Sequence, residues 1–298
     1  MSSGMTPELL SIKPFEYYSP ATVEEILSLI EKFGSDGILI AGGTDLIPLL
    51  RLRLSAPRYV VDISRLNELD FVKQDDGLLR IGALTRHRVL ERSPMVMQSA
   101  PILAEAASKI GSPQIRNMGT VGGNLVNASP CSDTSTPLLA LGAQLKLLKT
   151  NGQRMVAIDD FFLGVKKTVI QHNELLTEVQ VPQHSPGTGV AFVKVGRRIG
   201  NDVAVVSVAA SINMQKGVCK SARIALGSVA PTPIRTRKAE SSLIGKTIGA
   251  IEVTEAAETA TQEISPISDV RASAEYRRQV AKAIVKIALT KAIEKAGV

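Results

Sequence analysis

The chain has 298 residues, 44% of them hydrophobic, and a formal net charge of +7. This length suffices for two or three packed units, no apolar run is long enough to cross a bilayer, and the N-terminal residues lack the basic and apolar regions of a secretory signal peptide. The two cysteines, Cys131 and Cys219, exclude a disulfide framework and an iron–sulfur cluster held by four local thiolates. We therefore expect a soluble, cytoplasmic protein without a metal site.

The N-terminal part of the chain predicts an α/β unit. Residues 22–33 have a helical pattern, in which Thr22 and Glu25 form a capping box and Gly34 can end the helix. A short strand, "GILIAG" (37–42), follows, and a second helix is predicted directly after two glycines. This alternation of strands and helices is typical of α/β folds.

The middle of the chain changes from mixed to β-rich patterns. Strands are predicted over residues 58–64, 77–85 and 175–182, a helix over 101–110 and a β-hairpin over 143–162. The hairpin prediction rests on Asn151-Gly152, a dipeptide typical of two-residue turns between strands. The segment 183–189 is polar and contains Pro and Gly, which makes it the best candidate for a linker.

The C-terminal third predicts an antiparallel sheet followed by helices. Three β-rich runs separated by turns lie between residues 190 and 230, and helical patterns cover roughly 235–262 and 271–296. The residues that recur on one face of the last helix are Tyr276, Val280, Ala283 and Ile287.

Most of the positive charge is concentrated at the C-terminus. Residues 271–298 carry seven Lys or Arg against two Glu, so +5 of the net +7 lies there. A solvated helix face is the simplest explanation, an acidic partner protein is the second and nucleic acid the third. Aromatic residues make up only 3% of the chain, which disfavours a platform for stacking bases.

Two adjacent glycines in "IAGGTDL" (40–46) join the predicted strand to the next helix. Gly42 and Gly43 allow positive φ and leave no Cβ between the backbone and a ligand, so successive N–H groups can form a nest for an anion. Thr44 adds a hydroxyl, and Asp45 is predicted to be the helix N-cap, with its carboxylate on backbone N–H groups. By itself this turn is better explained by packing, because it is neither a GxGxxG motif nor a P-loop.

A second stretch, "GTVGGNLVNASPCSD" (119–133), repeats the pattern. Its small and hydrogen-bonding residues are Thr120, Gly122, Gly123, Asn124, Asn127 and Ser129. Asp133 is suited to pairing with ribose hydroxyls, since a charged acceptor holds a diol well. Two such stretches suit an extended dinucleotide with two phosphates and two ring systems.

Four segments of the chain carry a family resemblance. They are "AGGTDLIPLL" (41–50), "RNMGTVGGNLVNASPCSDTSTPLLAL" (116–141), "VGRRIGNDVAVVSVAASI" (195–212) and "SDVRASAEYRRQV" (268–280). Together they resemble the FAD-binding medium subunit of molybdenum hydroxylases, the group of xanthine dehydrogenase, aldehyde oxidoreductase and aerobic carbon monoxide dehydrogenase. The resemblance extends from about residue 10 to residue 296.

The resemblance implies an α+β fold. An FAD-binding domain of the vanillyl-alcohol-oxidase/PCMH type would occupy residues 8–184, with α/β subdomains at about 8–57 and 58–184. A C-terminal α+β domain with an antiparallel sheet and helices would occupy residues 185–298. The implied FAD contacts are Leu39, Ile40, Ala41, Gly42, Gly43, Thr44, Asp45, Thr120, Val121, Gly122, Gly123, Asn124, Ser129, Asp133, Leu176 and Lys194.

The implied function is electron transfer without a catalytic residue or a metal ligand in this chain. An iron–sulfur small subunit with [2Fe–2S] clusters would pass electrons to non-covalent FAD, and FAD would pass them to NAD, a quinone or oxygen. A large subunit with a molybdenum cofactor would hydroxylate the substrate, and the complex would be a dimer of heterotrimers.

Two other functions remain open at this stage. A standalone FAD-dependent oxidase or dehydrogenase of related fold would need its own substrate site, for which no base or covalent attachment residue stands out. A nucleotide- or nucleic-acid-binding protein would use the basic C-terminal helix and show strong salt dependence.

Several further residues carry structural expectations. His87 is predicted to lie at the surface beside two arginines, and Cys131 to be a small buried residue. Asp159-Asp160 is predicted to form a turn, and Arg197-Arg198 to approach either the flavin or a subunit contact. An exposed apolar patch is expected near the second glycine stretch or on the C-terminal domain, where partners would bind.

Overall fold

A computed structural model of the chain describes residues 12–198 and 202–297. Its strands form a parallel sheet, two larger antiparallel sheets and a small two-stranded sheet. Within these ranges, no helix combines the length and the apolar character needed to cross a bilayer.

The first sheet is parallel and consists of three strands. They are β1 (Glu16–Tyr18), β2 (Gly37–Ile40) and β3 (Tyr59–Asp62), in the order β1-β3-β2. Helix α1 (Val23–Phe33) connects β1 to β2, and helix α2 (Leu46–Arg51) follows β2. Because β3 pairs in parallel with both other strands, the first α/β unit continues beyond the boundary expected at residue 57.

The predicted helix over residues 22–33 is confirmed. The Thr22 hydroxyl accepts a hydrogen bond from the Glu25 N–H at 3.2 Å, and the Glu25 carboxylate accepts one from the Ala21 N–H at 2.7 Å. The helix therefore has the two contacts of a capping box, with the second one residue further back. Gly34, with φ of 52°, ends the helix.

The second sheet is antiparallel and has the order β4-β5-β10-β6-β7. Its strands are β4 (Val72–Asp75), β5 (Leu78–Gly82), β6 (Gln144–Lys149), β7 (Gly152–Ala157) and β10 (Leu175–Pro182), and the small sheet is β8 (Phe162–Gly164) with β9 (Lys167–Thr168). The pairing of Lys149 with Gly152 closes the predicted hairpin around Asn151-Gly152. The strand prediction over 175–182 is likewise confirmed.

Short helices occupy the long connection between β5 and β6. They are α3 (His87–Arg92), α4 (Pro94–Ser99), α5 (Pro101–Ser108), α6 (Pro113–Met118), α7 (Val121–Val126) and α8 (Ser135–Leu141). Three of them begin with proline, whose fixed φ and missing N–H suit the first helical position. The glycine pair of the second stretch, Gly122-Gly123, therefore lies within the short helix α7 and does not follow a strand directly.

The C-terminal sheet is antiparallel, as expected, with helices packed on it. Its strands are β11 (Thr188–Val195), β12 (Val206–Gln215), β13 (Val218–Gly227) and β14 (Ile234–Arg235), and the helices are α9 (Arg237–Leu243), α10 (Ala250–Gln262) and α11 (Ala274–Lys295). The buried face of α11 consists of Arg277, Ala281, Ile284, Val285, Ala288, Leu289 and Ala292. The stripe recognised from the sequence is a different one, and its members Tyr276 and Ile287 are about half exposed.

Arg277 is a charged anchor inside the C-terminal core. Its side chain is 2% exposed, and Nη1 donates to the carbonyls of Val205 at 2.9 Å and Ser228 at 2.8 Å, while Nη2 donates to the Asp269 carboxylate at 2.8 Å. Burial opposes ionisation of Asp269, but hydrogen bonds from the Arg271 N–H and from Arg277 outweigh it and lower the pKa of Asp269 to about 2. One guanidinium thus joins α11, two strand ends and the loop before the helix.

We predict that Arg277→Met destabilises the protein by about 3–5 kcal/mol, because it leaves two buried carbonyls and a carboxylate without their donor. Chemical denaturation measures the free energy of unfolding. Arg278→Met, on the exposed neighbouring position, is the matched control and should change it by less than about 0.5 kcal/mol. Equal effects of the two variants would contradict the anchoring role.

Candidate cofactor-binding site

A cavity of about 480 Å³ lies between the parallel sheet with its helices and the unit built on the sheet β4-β5-β10-β6-β7. Both glycine stretches line it, together with apolar residues of β2, the start of β10 and the segment that leads into α3. Its size falls within the range of about 300–1,000 Å³ that is usual for small-molecule and cofactor sites. The cavity therefore brings together the two stretches that the sequence singled out.

The first glycine stretch presents free hydrogen-bond donors. Gly43 has a φ of 68°, a conformation that glycine adopts without steric cost. Among the hydrogen bonds within residues 12–198 and 202–297, none uses the backbone N–H of Gly42, Gly43 or Thr44 as its donor. Consecutive N–H groups without an acceptor form a nest that suits an anion such as a phosphate, so these residues fit the expected dinucleotide.

Asp45 occupies the expected N-cap position but does not cap. Helix α2 begins at Leu46, and the Asp45 side chain makes no capping hydrogen bond. Its φ and ψ of −100° and −43° are helical rather than extended, and an extended N-cap is the conformation that directs the side chain back to the N–H groups. The predicted carboxylate contact is therefore wrong, and in this first turn the Ile47 N–H donates instead to the Gly43 carbonyl at 3.0 Å.

The second glycine stretch has its N–H groups bonded within the protein. Four bonds run from Val121 N to Thr85 O (3.0 Å), Gly122 N to Ala83 O (2.8 Å), Gly123 N to Thr120 Oγ1 (3.1 Å) and Asn124 N to Thr120 O (3.0 Å). The Asn124 amide oxygen accepts from the hydroxyls of Ser132 and Thr134, both at 2.5 Å. This stretch thus forms a rigid wall of the cavity rather than a second set of free donors.

The two glycine stretches touch through their main chains. A Cβ on Gly42 would lie 1.9 Å from the Met118 carbonyl oxygen, and a Cβ on Gly122 would lie 2.6 Å from the Ala83 carbonyl oxygen. No side chain fits at such distances, so both glycines are required for packing. Packing and ligand binding are therefore not alternatives here, since the close approach of the backbones builds the cavity.

Twelve of the sixteen implied contacts line the cavity and four do not. Those that line it are Leu39, Ile40, Ala41, Gly42, Gly43, Thr44, Asp45, Thr120, Gly122, Gly123, Asn124 and Leu176. Those outside its lining are Val121, Ser129, Asp133 and Lys194. Val121 is fully buried in the core of the second unit.

Asp133 and Lys194 form a buried ion pair between the loop that precedes α8 and strand β11 of the C-terminal sheet. Lys194 Nζ lies 2.6 Å from Asp133 Oδ2, and both side chains are 7% exposed. Nζ also donates to the carbonyls of Lys109 at 2.8 Å and Asp202 at 3.1 Å, whereas Asp133 Oδ1 is buried without a partner. Burial raises the pKa of Asp133 to about 6, although Lys194 opposes the rise.

His87 lies inside the molecule and not at the surface. It is 3% exposed, and it lines the cavity beside Gly119. Burial, reinforced by the charge of Arg116, lowers the pKa of His87 to about 4. The flanking arginines suggested exposure, but Arg86 pairs with Thr120 in a β-bridge, and the residues on either side of it, Thr85 and His87, are both buried.

The remaining expectations concern residues away from the cavity. Cys131 is only partly buried. Asp159 and Asp160 lie in a 3₁₀ turn, as expected, and the Asp159 carboxylate pairs with Arg235 at 3.0 Å and with Arg237. The N–H of Arg197 donates to the Asp202 carboxylate.

Comparisons with known proteins find relatives along most of the chain. The family model of the FAD binding domain in molybdopterin dehydrogenase matches residues 13–184, and that of the CO dehydrogenase flavoprotein C-terminal domain matches residues 191–292. The carbon monoxide dehydrogenase medium chain of Hydrogenophaga pseudoflava is 38% identical over 278 residues, 93% of this chain and 96% of the relative. The xanthine dehydrogenase FAD-binding subunit of Escherichia coli O157:H7 is 32% identical over 94% of this chain and 97% of the relative.

Solved structures show the same fold. Carbon monoxide dehydrogenase from Hydrogenophaga pseudoflava, in a form that lacks the Mo-pyranopterin moiety of its molybdenum cofactor, matches with a TM-score of 0.92 and 38% identity over 96% of this chain and 99% of that one. Quinoline 2-oxidoreductase from Pseudomonas putida 86 matches with a TM-score of 0.90 and 33% identity, over 97% of this chain and 100% of that one.

The fold and the site define an FAD-binding subunit of a redox enzyme. The chain belongs to the family of FAD-binding medium subunits of molybdenum hydroxylases. It is thus an oxidoreductase subunit that binds FAD and transfers electrons within a multi-subunit enzyme, and the expected α+β fold is confirmed.

We predict that Gly42→Ala destabilises the ligand-free chain by about 1–3 kcal/mol, because the added methyl group would overlap the Met118 carbonyl. Thermal or chemical unfolding measures the change. Gly164→Ala is the matched control, since a Cβ there meets nothing within 4 Å and its φ is not positive. A Gly42→Ala protein as stable as the Gly164→Ala protein would refute the close approach.

We predict a pH signature of the buried carboxyl of Asp133. Its pKa is raised to about 6 in the folded state, so its contribution is fully present below pH 4, near the unfolded pKa, and is lost as pH rises through 6. The difference in unfolding free energy between the wild type and Asp133→Asn should therefore fall by about 2 kcal/mol between pH 4 and pH 7. A difference that is constant over this range would show that Asp133 does not titrate there.

Proposed function

We propose that the cavity between the two glycine stretches holds FAD non-covalently, with residues 39–45 around its pyrophosphate. The observation that carries this assignment is the set of three unpaired N–H groups at Gly42, Gly43 and Thr44. They are consecutive, they lie on a turn with a positive φ, and they line the cavity. A diphosphate is the ligand group that uses such donors best.

The other implied contacts have distinct roles in this proposal. Thr120, Gly122, Gly123 and Asn124 form the rigid opposite wall, and Leu176 contributes a buried apolar surface. Asp133 and Lys194 are proposed to act where the cofactor extends towards the C-terminal domain. In the ion pair, Asp133 Oδ1 is the oxygen left to accept a hydrogen bond, for instance from a hydroxyl. Val121 and Ser129 would support the wall by position.

The chain's own contribution is to bind and orient the cofactor and to exclude water from it. FAD, when bound, exchanges electrons singly or in pairs. We propose that electrons come from an iron–sulfur small subunit and leave to an external acceptor, for which NAD, a quinone and oxygen remain candidates. Substrate hydroxylation would occur on a molybdenum-containing large subunit, and the assembly would be a dimer of heterotrimers.

An exposed apolar surface beside the second glycine stretch supports contact with partner subunits. Met118 and Val126 are about half exposed, and Leu163 and Val165 are exposed to a similar or greater degree. The two pairs lie in adjoining segments, because the Lys166 N–H donates to the Ala128 carbonyl at 3.0 Å. Apolar side chains grouped at the surface typically mark an interface.

Some expectations stay predictions. They are the division into domains at 8–184 and 185–298, the cytoplasmic location, and the identity of the acceptor. The start of the first domain and the exact end of the second fall on residues 8–11 and 298, outside the described residues.

We predict that the purified full chain is yellow, or becomes so on addition of FAD, and that acid releases unmodified FAD. A visible spectrum and chromatography of the released pigment measure this. Gly42→Ala should reduce FAD content by at least about tenfold because the nest would be distorted, while Gly164→Ala should retain it. A folded wild-type chain that takes up no FAD, alone or with its partner subunits, would overturn the proposal.

A further inference from the structure

His87 is buried in the cavity wall without a hydrogen-bond partner. Its side chain is 3% exposed, and within residues 12–198 and 202–297 neither ring nitrogen makes a hydrogen bond. Buried polar side chains are nearly always paired, and each exception calls for an explanation. An absent ligand is one explanation when the residue lines a cavity, as His87 does.

The two ring nitrogens have different surroundings. Nδ1 is shielded completely and has no partner. The opposite edge of the ring, with Cδ2 and Nε2, faces Gly119, because a Cβ on Gly119 would lie 3.1 Å from Cδ2 and 3.4 Å from Nε2. Nε2, unlike Nδ1, is not among the completely shielded unpaired atoms of the described residues, so it is the ring nitrogen that a molecule in the cavity can reach.

Gly119 places this edge next to the free N–H groups of the first glycine stretch. A Cβ on Gly42 would lie 3.0 Å from the Gly119 Cα, so Gly119 is packed between Gly42 and the imidazole. The main-chain N–H of His87 also donates to the Gly119 carbonyl at 3.0 Å, which holds the start of helix α3 against this backbone. Gly119 is therefore in contact with both the His87 imidazole and Gly42 of the proposed phosphate nest.

We propose that His87 Nε2 donates a hydrogen bond to a phosphate oxygen of the FAD bound in the cavity. This inference rests on the proposed function, and it adds a cofactor contact outside the sixteen implied positions. A neutral imidazole has one N–H and one acceptor nitrogen, whereas a phosphate oxygen at neutral pH only accepts. The bound phosphate therefore selects the tautomer with the proton on Nε2, and Nδ1 then carries a lone pair and no buried, unpaired N–H.

The charged groups around His87 agree with a neutral donor. The groups that face it or share its cavity are Arg88 and Glu91 on its own helix, Arg116 on α6, and Asp45, His172 and Glu174 in the cavity lining. Arg116 and Arg88 both pair with Glu91 at 3.0 Å, so no carboxylate is left among these three to stabilise an imidazolium. An anionic ligand would supply that missing negative charge.

FAD titrations of two His87 variants test the assignment. His87→Phe keeps a ring of similar size without a donor and should weaken FAD binding at least about tenfold, whereas His87→Gln, whose amide nitrogen can approach the place of Nε2, should stay within about threefold of the wild type. His184→Phe, at a histidine outside the cavity lining, is the matched control and should have no effect. Flavin fluorescence gives the dissociation constants.

Nuclear magnetic resonance of the histidine side chains measures the pKa of His87, which FAD binding would leave unchanged if His87 had only a packing role. The chain has three histidines, and His87→Gln identifies the signal of His87. On saturation with FAD, the pKa of His87 should rise by at least about one unit, because a phosphate at hydrogen-bond distance favours the charged imidazole. This measurement needs only the wild type and His87→Gln, so it holds even where His87→Phe fails to fold.

The outcomes separate the two proposals. If the wild type and His87→Phe bind FAD equally well, the role of His87 is overturned and the proposed function stands. The same holds if both His87 variants lose affinity to the same extent and the pKa of His87 in the wild type does not change on FAD binding. A folded wild type that binds no FAD would overturn the role of His87 together with the proposed function.

Discussion

The cavity exists because two main-chain segments meet without side chains between them. At Gly42 the backbone of the first α/β unit lies directly against the carbonyl of Met118, so the relative position of the two units is fixed by contacts that allow no methyl group. Everything that lines the cavity is positioned from this contact: the free N–H groups on one side, the wall of helix α7 on the other and the imidazole of His87 behind Gly119. A glycine pair with no phosphate motif can therefore still be a cofactor site.

The two glycine stretches look alike in sequence but differ in what their N–H groups do. Gly43 has a positive φ and its N–H is unpaired, whereas the N–H of Gly123 is held by the Thr120 hydroxyl. The first stretch is thus a donor surface and the second a rigid support. This division fits an electron-transfer subunit, in which the protein must hold a cofactor at a fixed distance from its electron source and has no bond to make or break itself.

Local signals in the sequence predicted some of the elements but not how those elements pair. The helix after Thr22 and the hairpin at Asn151-Gly152 are specified by neighbouring residues, and both are present. The membership of β3 in the first sheet depends on strands far away in the chain, which local patterns do not contain. Helix α11 has apolar residues on more than one face, so the sequence alone could not decide whether the side with Ile287 or the side with Leu289 is buried. The same limit explains the burial of His87, whose neighbours are both arginines.

The ion pair between Asp133 and Lys194 has a consequence for the order in which the molecule assembles. Its partners are 61 residues apart in the chain, and the carbonyl of Lys109 that shares the ammonium is 85 residues away. Because such a contact has to offset the loop-closure entropy of the chain between its partners, we expect it to form after the local structure around it. Lys194 would then join the C-terminal sheet to the loop before α8 as a late step, and a chain that ends before β11 lacks the ammonium group that pairs with Asp133.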